Sequence, residues 1–256
     1  MSMIGVYLSG TGNSKRCLEK LIHGLEPGAE CIPMESTDVV TKIAEHETVF
    51  LAYPTQFSNA PYMVREFIKQ NRELWKGRKM FFLTTMGLFS GDGTGCCARI
   101  VKKFGADVLG GLQVRMPDSV ADCKALKKTR EENQKIIDEA DRKVTQAAET
   151  IRTTGRYPQE GIGFPAHLAG LFGQRLWFFY RTNKYCKTVK ISDACVGCGL
   201  CAKHCPTGNL SIADGKAVAG ERCTMCYRCV NNCPKQAVTI LGRKVASQHN
   251  AETYEG

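Results

Sequence analysis

Residues 195–206 read CVGCGLCAKHCP, and residues 223–234 read CTMCYRCVNNCP. Both runs have the spacing Cys-x₂-Cys-x₂-Cys-x₃-Cys-Pro, and together they hold eight of the fourteen cysteines of the chain. The similarity continues beyond the cysteines, because residues 206–212 and 234–240 also align and each ends in a short apolar segment. The C-terminal part of the chain therefore contains an internal repeat of one cysteine-rich unit.

Two kinds of metal site use closely spaced cysteines. Zinc sites pair one Cys-x₂-Cys with a second one, or with two histidines, over a dozen or more residues, and two fourfold runs fit that pattern poorly. The runs resemble those of bacterial two-cluster ferredoxins, in which the fourth cysteine of each run ligates the other cluster. The resemblance implies a small α+β domain with two [4Fe–4S] clusters. It assigns Cys195, Cys198, Cys201 and Cys233 to the first cluster, and Cys223, Cys226, Cys229 and Cys205 to the second.

The composition agrees with a reducing compartment. The chain has 256 residues, of which 43% are hydrophobic, an ordinary globular proportion. We find neither a signal peptide nor an apolar stretch of about 18 residues, and so expect no membrane span. A cytoplasmic location follows as an expectation, and cysteines there serve metal or redox chemistry more often than disulfides.

The first half of the chain alternates short apolar runs with helical patterns. Nearly continuous apolar strands alternating with helices indicate a parallel sheet covered on both faces. The pattern predicts an open, doubly wound α/β domain with five strands. The predicted strands are 4–8, 31–34, 48–53, 79–85 and 107–115, and the predicted helices are 13–25, 61–70, 97–104 and 121–153.

Residues 9–14, SGTGNS, lie between the first strand and the first helix. Glycines let the backbone approach an anion closely, and the N–H groups of a helix N-terminus favour negative charge. The alternative is a Gly/Ser turn without a ligand. The loop resembles the phosphate loop of flavodoxins, and this resemblance, which covers about 150 residues, implies FMN. The expected phosphate-binding residues are Ser9, Thr11, Gly12, Asn13 and Ser14.

The same resemblance implies that the flavin ring lies against the loops after the third and fourth strands. The expected ring contacts are Pro54, Thr55, Gln56, Phe57, Gly87, Phe89 and Gly91. Tyr53, Phe57 and Phe89 are candidates to stack on the ring, although each of these aromatics can equally belong to the core. Cys96 and Cys97 form either a redox dithiol beside this site or, as we favour, two small buried side chains.

The sequence predicts that the chain is divided into four segments. We expect a flavodoxin-like domain over 1–154, a connector with an apolar helix over 155–186, a two-cluster domain over 187–244 and a disordered tail over 245–256. We favour packing of the connector helix between the two domains over an alternative in which it lies on a membrane surface.

The whole chain resembles the flavodoxin–ferredoxin fusions called ferrodoxins. The resemblance implies an electron-transfer protein without catalytic residues of its own, and the alternative is a flavin-dependent reductase of a small substrate fed by the clusters. The formal charge of +10 is spread along the chain. Two clusters and the FMN phosphate would together contribute roughly −6, which leaves about +4. We therefore expect an acidic redox partner and no nucleic acid, because no recognition motif accompanies the charge.

Overall fold

The larger part of the molecule is a five-stranded parallel sheet. A computed structural model of the chain describes residues 2–178, 187–242 and 244–251. The strands lie in the order β2-β1-β3-β4-β5, which is the flavodoxin-like order of doubly wound sheets. This confirms the predicted fold class. The strands are β1 Met3–Tyr7, β2 Cys31–Pro33, β3 Thr48–Pro54, β4 Lys79–Met86 and β5 Asp107–Arg115.

Helices cover both faces of this sheet. One face packs against α2, α3 and α4, and the other packs against α1 and α5. Because β1, β3 and β4 are buried on both faces, their sequences are mostly apolar instead of alternating with polar residues. The helices are α1 Asn13–Leu25, α2 Val39–Ala44, α3 Tyr62–Gln70, α4 Gly93–Lys103 and α5 Arg130–Thr154.

The start of α5 differs from the predicted helix over 121–153. The helix begins at Arg130, where Thr129 and Glu132 form a reciprocal capping box. The preceding residues form a loop in which Ala121 and Asp122 contact the C-terminal domain. Apolar periodicity alone could not show that residues 121–129 make tertiary contacts and only one 3₁₀ turn, Lys124–Leu126, in place of a regular α-helix.

The C-terminal domain consists of two small antiparallel sheets and two short helices around a third core. That core includes Leu210, Tyr227, Val230 and Ile240, together with Ala121 of the first domain. The elements are β6 Lys190–Ile191, α7 Leu200–Lys203, β7 Leu210–Ala213, β8 Lys216–Ala219, α8 Arg228–Asn231 and β9 Val238–Thr239, with β6 paired to β9 and β7 to β8.

The connector forms α6, Phe164–Gly170, which continues into a π-helical turn at Leu171–Arg175. We expected its apolar side chains to pack between the domains, but the structure leaves Phe164, Phe172 and Trp177 exposed. The side that faces the protein carries polar side chains, among them His167 and Arg175, together with the ring of Phe178. The last part of the predicted connector, 179–186, lies outside the described residues.

The C-terminal segment also differs from expectation. Residues 245–251 were expected to be disordered, yet Val245, His249 and Ala251 are buried. Backbone bonds from Ala246 and Ser247 to Ala121 hold the segment on the first domain. Residues 252–256 of the expected tail lie outside the described part. Within the described chain, no helix is both long and apolar enough to cross a bilayer.

Candidate cofactor sites

The first set of four cysteines surrounds one small cavity in the C-terminal domain. Cys195, Cys198 and Cys201 come from the loop and helix α7, and Cys233 comes from the second run. The amide of Ala217 donates to Cys195 Sγ over 3.4 Å, and that of Ala237 donates to Cys233 Sγ over 3.3 Å. Amide donors of this kind stabilise cluster thiolates and help to set the reduction potential.

The second set surrounds a separate cavity nearer the first domain. Its members are Cys205, Cys223, Cys226 and Cys229. Amides donate to Cys205 Sγ over 3.2 Å and to Cys223 Sγ over 3.3 Å. Burial raises the pKa of the Cys226 and Cys229 thiols, so thiolates at these positions need the positive charge of a metal centre nearby. The donor sets and cavities of both sites therefore fit the predicted clusters.

The loop between β1 and α1 presents a cradle for an anion. Gly12 has a φ of 85°, a left-handed conformation that brings the chain into the first turn of α1. Among the described residues, the main-chain N–H groups of residues 10–15 donate to no main-chain carbonyl. Ser9 Oγ is buried and has no partner within the same described part. These donors fit the predicted phosphate.

Two side chains of the loop form hydrogen bonds with residues at the ends of neighbouring strands. Ser14 Oγ lies 2.8 Å from Thr85 Oγ1 at the end of β4, and Asn13 Nδ2 donates to the carbonyl of Pro117 over 2.8 Å. Both partners line the neighbouring cavity described next. The two bonds therefore fix the cradle against that cavity.

A cavity of about 270 Å³ lies at the carboxyl ends of β3, β4 and β5. Ligands in open α/β sheets bind at this edge. Six of the seven predicted ring contacts line it, and they are Pro54, Thr55, Gln56, Phe57, Gly87 and Phe89. The structure thus brings most of the two predicted loops together around one space.

Gly91, the seventh predicted contact, lies elsewhere. Its carbonyl accepts a bond of 2.8 Å from Gln113 Nε2, and a Cβ at this position would lie 2.7 Å from Gly170 Cα of the connector. Packing of the connector against this glycine was not visible in the sequence.

The three candidate aromatics have different environments. Tyr53 belongs to the core, where its hydroxyl donates to the carbonyl of Gly93, so it does not line the cavity. Phe57 stacks on the ring of Phe178 with a centroid distance of 4.4 Å. Phe89 is 45% exposed at the rim of the cavity. Of the three candidates, Phe57 and Phe89 therefore line the cavity and Tyr53 does not.

Several lining residues were missed by the sequence analysis. The loop after β5 contributes residues 117–120, and the second cysteine run contributes Met225, Cys226 and Tyr227. Burial raises the pKa of Asp118 in this loop. A third loop at the same sheet edge could have been inferred from the topology, whereas contacts from residues 225–227 depend on how the two domains dock.

The second cysteine run lies directly on the first domain. A Cβ at Gly10 would overlap the carbonyl oxygen of Cys226, so only glycine permits this approach. Gln56 Nε2 donates to the carbonyls of Thr224 and Met225 over 2.8 and 3.1 Å. The predicted ring contact Gln56 is therefore also a bridge between the domains.

Arg228 adds a charged contact across the same boundary. Its Nη2 donates to the carbonyl of Ser9 over 2.8 Å and to Glu35 Oε1 over 2.6 Å. Both Arg228 and Glu35 are largely buried, so the pair is screened less than a surface ion pair. It ties the start of α8 to the phosphate loop.

Asp122 holds the end of the C-terminal domain. Its Oδ2 accepts main-chain N–H bonds from Ile240, Leu241 and Gly242 over 2.6, 2.8 and 3.0 Å. Its Oδ1 accepts the hydroxyl of Tyr227 over 2.9 Å. The carboxylate is buried, and these four donors compensate for the loss of water.

The C-terminal segment closes one side of the phosphate loop. The amide of Ala251 donates to the carbonyl of Thr11 over 2.7 Å, and Ala251 Cβ packs beside Gly12. His249 Nε2 lies 3.0 Å from Asn13 Oδ1, and burial lowers the pKa of His249 to about 4. The neutral imidazole therefore predominates at neutral pH.

Cys96 and Cys97 lie apart from the cavity. Cys97 belongs to the core of the sheet, and burial raises its pKa to about 12. Burial also raises the pKa of Cys96. Inert thiols of this kind agree with two small buried side chains rather than with a redox dithiol.

Comparison with known proteins gives one family match and several similar structures. Residues 187–234 match the 4Fe-4S dicluster domain. A flavodoxin from the domain Archaea shares 18% identity, with 59% of this chain and 99% of that chain covered and a TM-score of 0.42. Megasphaera elsdenii flavodoxin shares 27% identity, with 48% and 94% covered and a TM-score of 0.41.

The flavodoxin of Fusobacterium nucleatum bound to flavin mononucleotide shares 18% identity, with 59% and 98% covered and a TM-score of 0.42. No curated protein matches the chain. The family match confirms the iron–sulfur prediction and excludes the zinc alternative for this region. The chain therefore joins a 4Fe-4S dicluster domain to a sheet with the flavodoxin strand order.

Proposed function

We propose that the protein transfers electrons between an FMN site in the first domain and an external redox protein, through the two [4Fe–4S] clusters. One observation carries the proposal: Cys226, assigned to the second cluster, lines both the cysteine cavity and the cavity at the sheet edge. Tyr227 also lines both, so these two adjacent residues are shared by the walls of the two spaces. Such proximity is what electron transfer within one molecule requires.

Different residues of this chain bind the cofactors and hold the two domains together. Bound FMN would supply two-electron chemistry, and each cluster would supply single electrons. Ser9 and the N–H groups at the start of α1 would hold its phosphate, and Thr85 positions the loop through Ser14. Gln56 and Arg228 fix the second cysteine run against this site.

Quantification of cofactors tests the proposal. Protein purified without oxygen is expected to contain about one flavin, eight iron ions and eight sulfides per chain. Replacing Ser9 with alanine should weaken FMN binding and leave the iron content unchanged. Cys226→Ser should lower the iron content. Cys123→Ser is the matched control and should leave the iron content unchanged, because Cys123 belongs to neither cysteine set. Iron for fewer than two clusters, or the absence of flavin, would contradict the proposal.

A second candidate function is reduction of a small substrate at the flavin. The partly buried carboxyl group of Asp118 favours it, because its raised pKa suits a proton donor in the cavity. Steady turnover of a small acceptor that is lost in Asp118→Asn, with electron exchange between the cofactors retained, would support this function over a carrier.

A further inference from the structure

The connector helix turns its polar side towards the protein. His167 Nδ1 lies 2.9 Å from Asp92 Oδ2, and Arg175 Nη2 donates to Asp92 Oδ1 over 2.6 Å. Ser58 Oγ donates to Gln174 Oε1 over 2.8 Å. Asp92 is fully buried, so these bonds anchor the helix firmly through one face.

The opposite side of the helix is apolar and faces solvent. We call Phe164, Leu168, Phe172, Leu176 and Trp177 the apolar face. Phe164, Phe172 and Trp177 are 71%, 62% and 74% exposed. This orientation is the reverse of the usual arrangement of a surface helix, and several adjacent large apolar side chains in water mark an interaction site.

The apolar face continues onto the rim of the flavin cavity. A Cβ at Gly173 would lie 3.7 Å from Phe89 Cε1, so the helix and the loop after β4 are in contact. Leu88 in that loop is 68% exposed. The exposed surface therefore spans two elements, which makes it larger than the stripe of a single short helix.

The sequence that carries the apolar face is basic, which favours an anionic occupant. Residues 161–192 contain no aspartate or glutamate, but they contain two arginines and three lysines. Arg175 is bonded to Asp92 and Lys187 to Glu221. Of the other three, Arg181 and Lys184 lie outside the described residues, and Lys190 begins β6. Trp, Phe and Leu on one face with basic residues nearby are typical of helices that lie in the headgroup region of a membrane.

We propose that the apolar face inserts into the headgroup region of an anionic lipid bilayer and holds the protein at the membrane surface. The apolar side chains supply burial, and the basic residues of the segment supply attraction to anionic lipids. An acidic protein partner would fit the charge. However, it would not require a tryptophan and two phenylalanines projecting from a helix that is anchored by its polar side.

Sedimentation with lipid vesicles tests the proposal on the full-length holoprotein. Binding is expected to vesicles of phosphatidylglycerol and phosphatidylcholine in equal amounts, to weaken in high salt, and to be much weaker with phosphatidylcholine alone. Phe172→Ser with Trp177→Ser should lower the partition coefficient by about tenfold or more, because two large apolar side chains no longer enter the bilayer.

A control variant tests whether the loss of vesicle binding is specific to the connector helix. Val40 and Val218 are also exposed apolar residues, but they lie on α2 and β8, outside both cysteine cavities. Val40→Ser with Val218→Ser should leave vesicle binding unchanged. Unchanged iron absorbance in both double variants shows that each still folds.

Tryptophan fluorescence gives a second readout that does not depend on activity. The chain has two tryptophans, and Trp75 is fully buried in the core. A blue shift on addition of anionic vesicles therefore reports Trp177. The proposal is overturned if the wild-type protein does not sediment with anionic vesicles, or if the helix variant binds as well as wild type. It is also overturned if the helix substitutions instead abolish self-association, because a second copy would then cover the face.

Discussion

Gly10 is the residue on which the close approach of the two domains depends. Its backbone contacts the carbonyl of Cys226, and a methyl group would occupy the same space. We expect Gly10→Ala to push the second cysteine run away and to slow electron exchange between flavin and clusters. Transient absorption after reduction of one cofactor measures this rate.

Gly163→Ala is the control for that substitution. The added methyl group would meet only Pro165 Cδ at 3.6 Å, which is an ordinary contact. It should leave the exchange rate unchanged. If Gly10→Ala also exchanges electrons at the wild-type rate, the contact between Gly10 and Cys226 does not determine the distance between the cofactors.

Asp122 is the residue that joins the second cysteine run to the end of the C-terminal domain. In Asp122→Asn, the remaining carbonyl oxygen can still accept the three main-chain bonds, but these bonds lose the carboxylate charge, and an amide group faces the Tyr227 hydroxyl in place of its acceptor oxygen. We expect the free energy of unfolding of the C-terminal domain to fall by about 2–4 kcal/mol. Chemical denaturation followed by the cluster absorbance measures the loss.

Asp193→Asn is the corresponding surface control. Asp193 is fully exposed and pairs with an exposed lysine, Lys216, so its replacement should change the free energy of unfolding by less than about 0.5 kcal/mol. Equal losses in the two variants would show that the main-chain bonds to Asp122 contribute nothing particular to stability.

At the scale of elements, the C-terminal segment should respond to pH through His249. Burial lowers its pKa from 6.5 to about 4. A lowered pKa means that the segment has its full stability above about pH 6.5 and loses it as the pH falls towards 4. At about pH 5.5 docking of residues 245–251 should be weaker by about 1.4 kcal/mol than at neutral pH.

Hydrogen exchange of the amides of residues 245–251 measures this change. The protection of these amides should fall between about pH 7.5 and pH 5.5, after correction for the intrinsic exchange rate. Glutamine does not titrate in this range, so in His249→Gln the protection of these amides should not change with pH. Constant protection in the wild-type protein, or an equal fall in the variant, would refute the role of His249.

The elements also show which features the sequence could predict. The five parallel strands and the loops at the sheet edge follow from the apolar runs and from their alternation with helices. The positions of Gly91 and of residues 245–251 do not, because they depend on packing between segments far apart in the chain. The connector helix illustrates the same limit: its periodicity was visible, but the buried Asp92 that turns its polar side inward was not.

At the scale of the whole molecule, the clusters are part of the core. Cys229 lies in the third core, with Cys201, Cys205, Cys223 and Cys233 packed against it. Removal of iron with a chelator should therefore unfold the C-terminal domain and leave the sheet of the first domain intact. Loss of near-ultraviolet signal from Tyr227, with Trp75 fluorescence unchanged, would show this; simultaneous loss of both would mean that the domains unfold together.

The central claim is that electrons pass between the flavin site and the clusters within one chain. The most direct test is the observed rate of this transfer after photoreduction, measured over a range of protein concentrations. Transfer within a chain predicts a rate that is independent of concentration and that falls strongly in Cys226→Ser. A rate proportional to protein concentration would mean that electrons move between molecules, and would contradict the account.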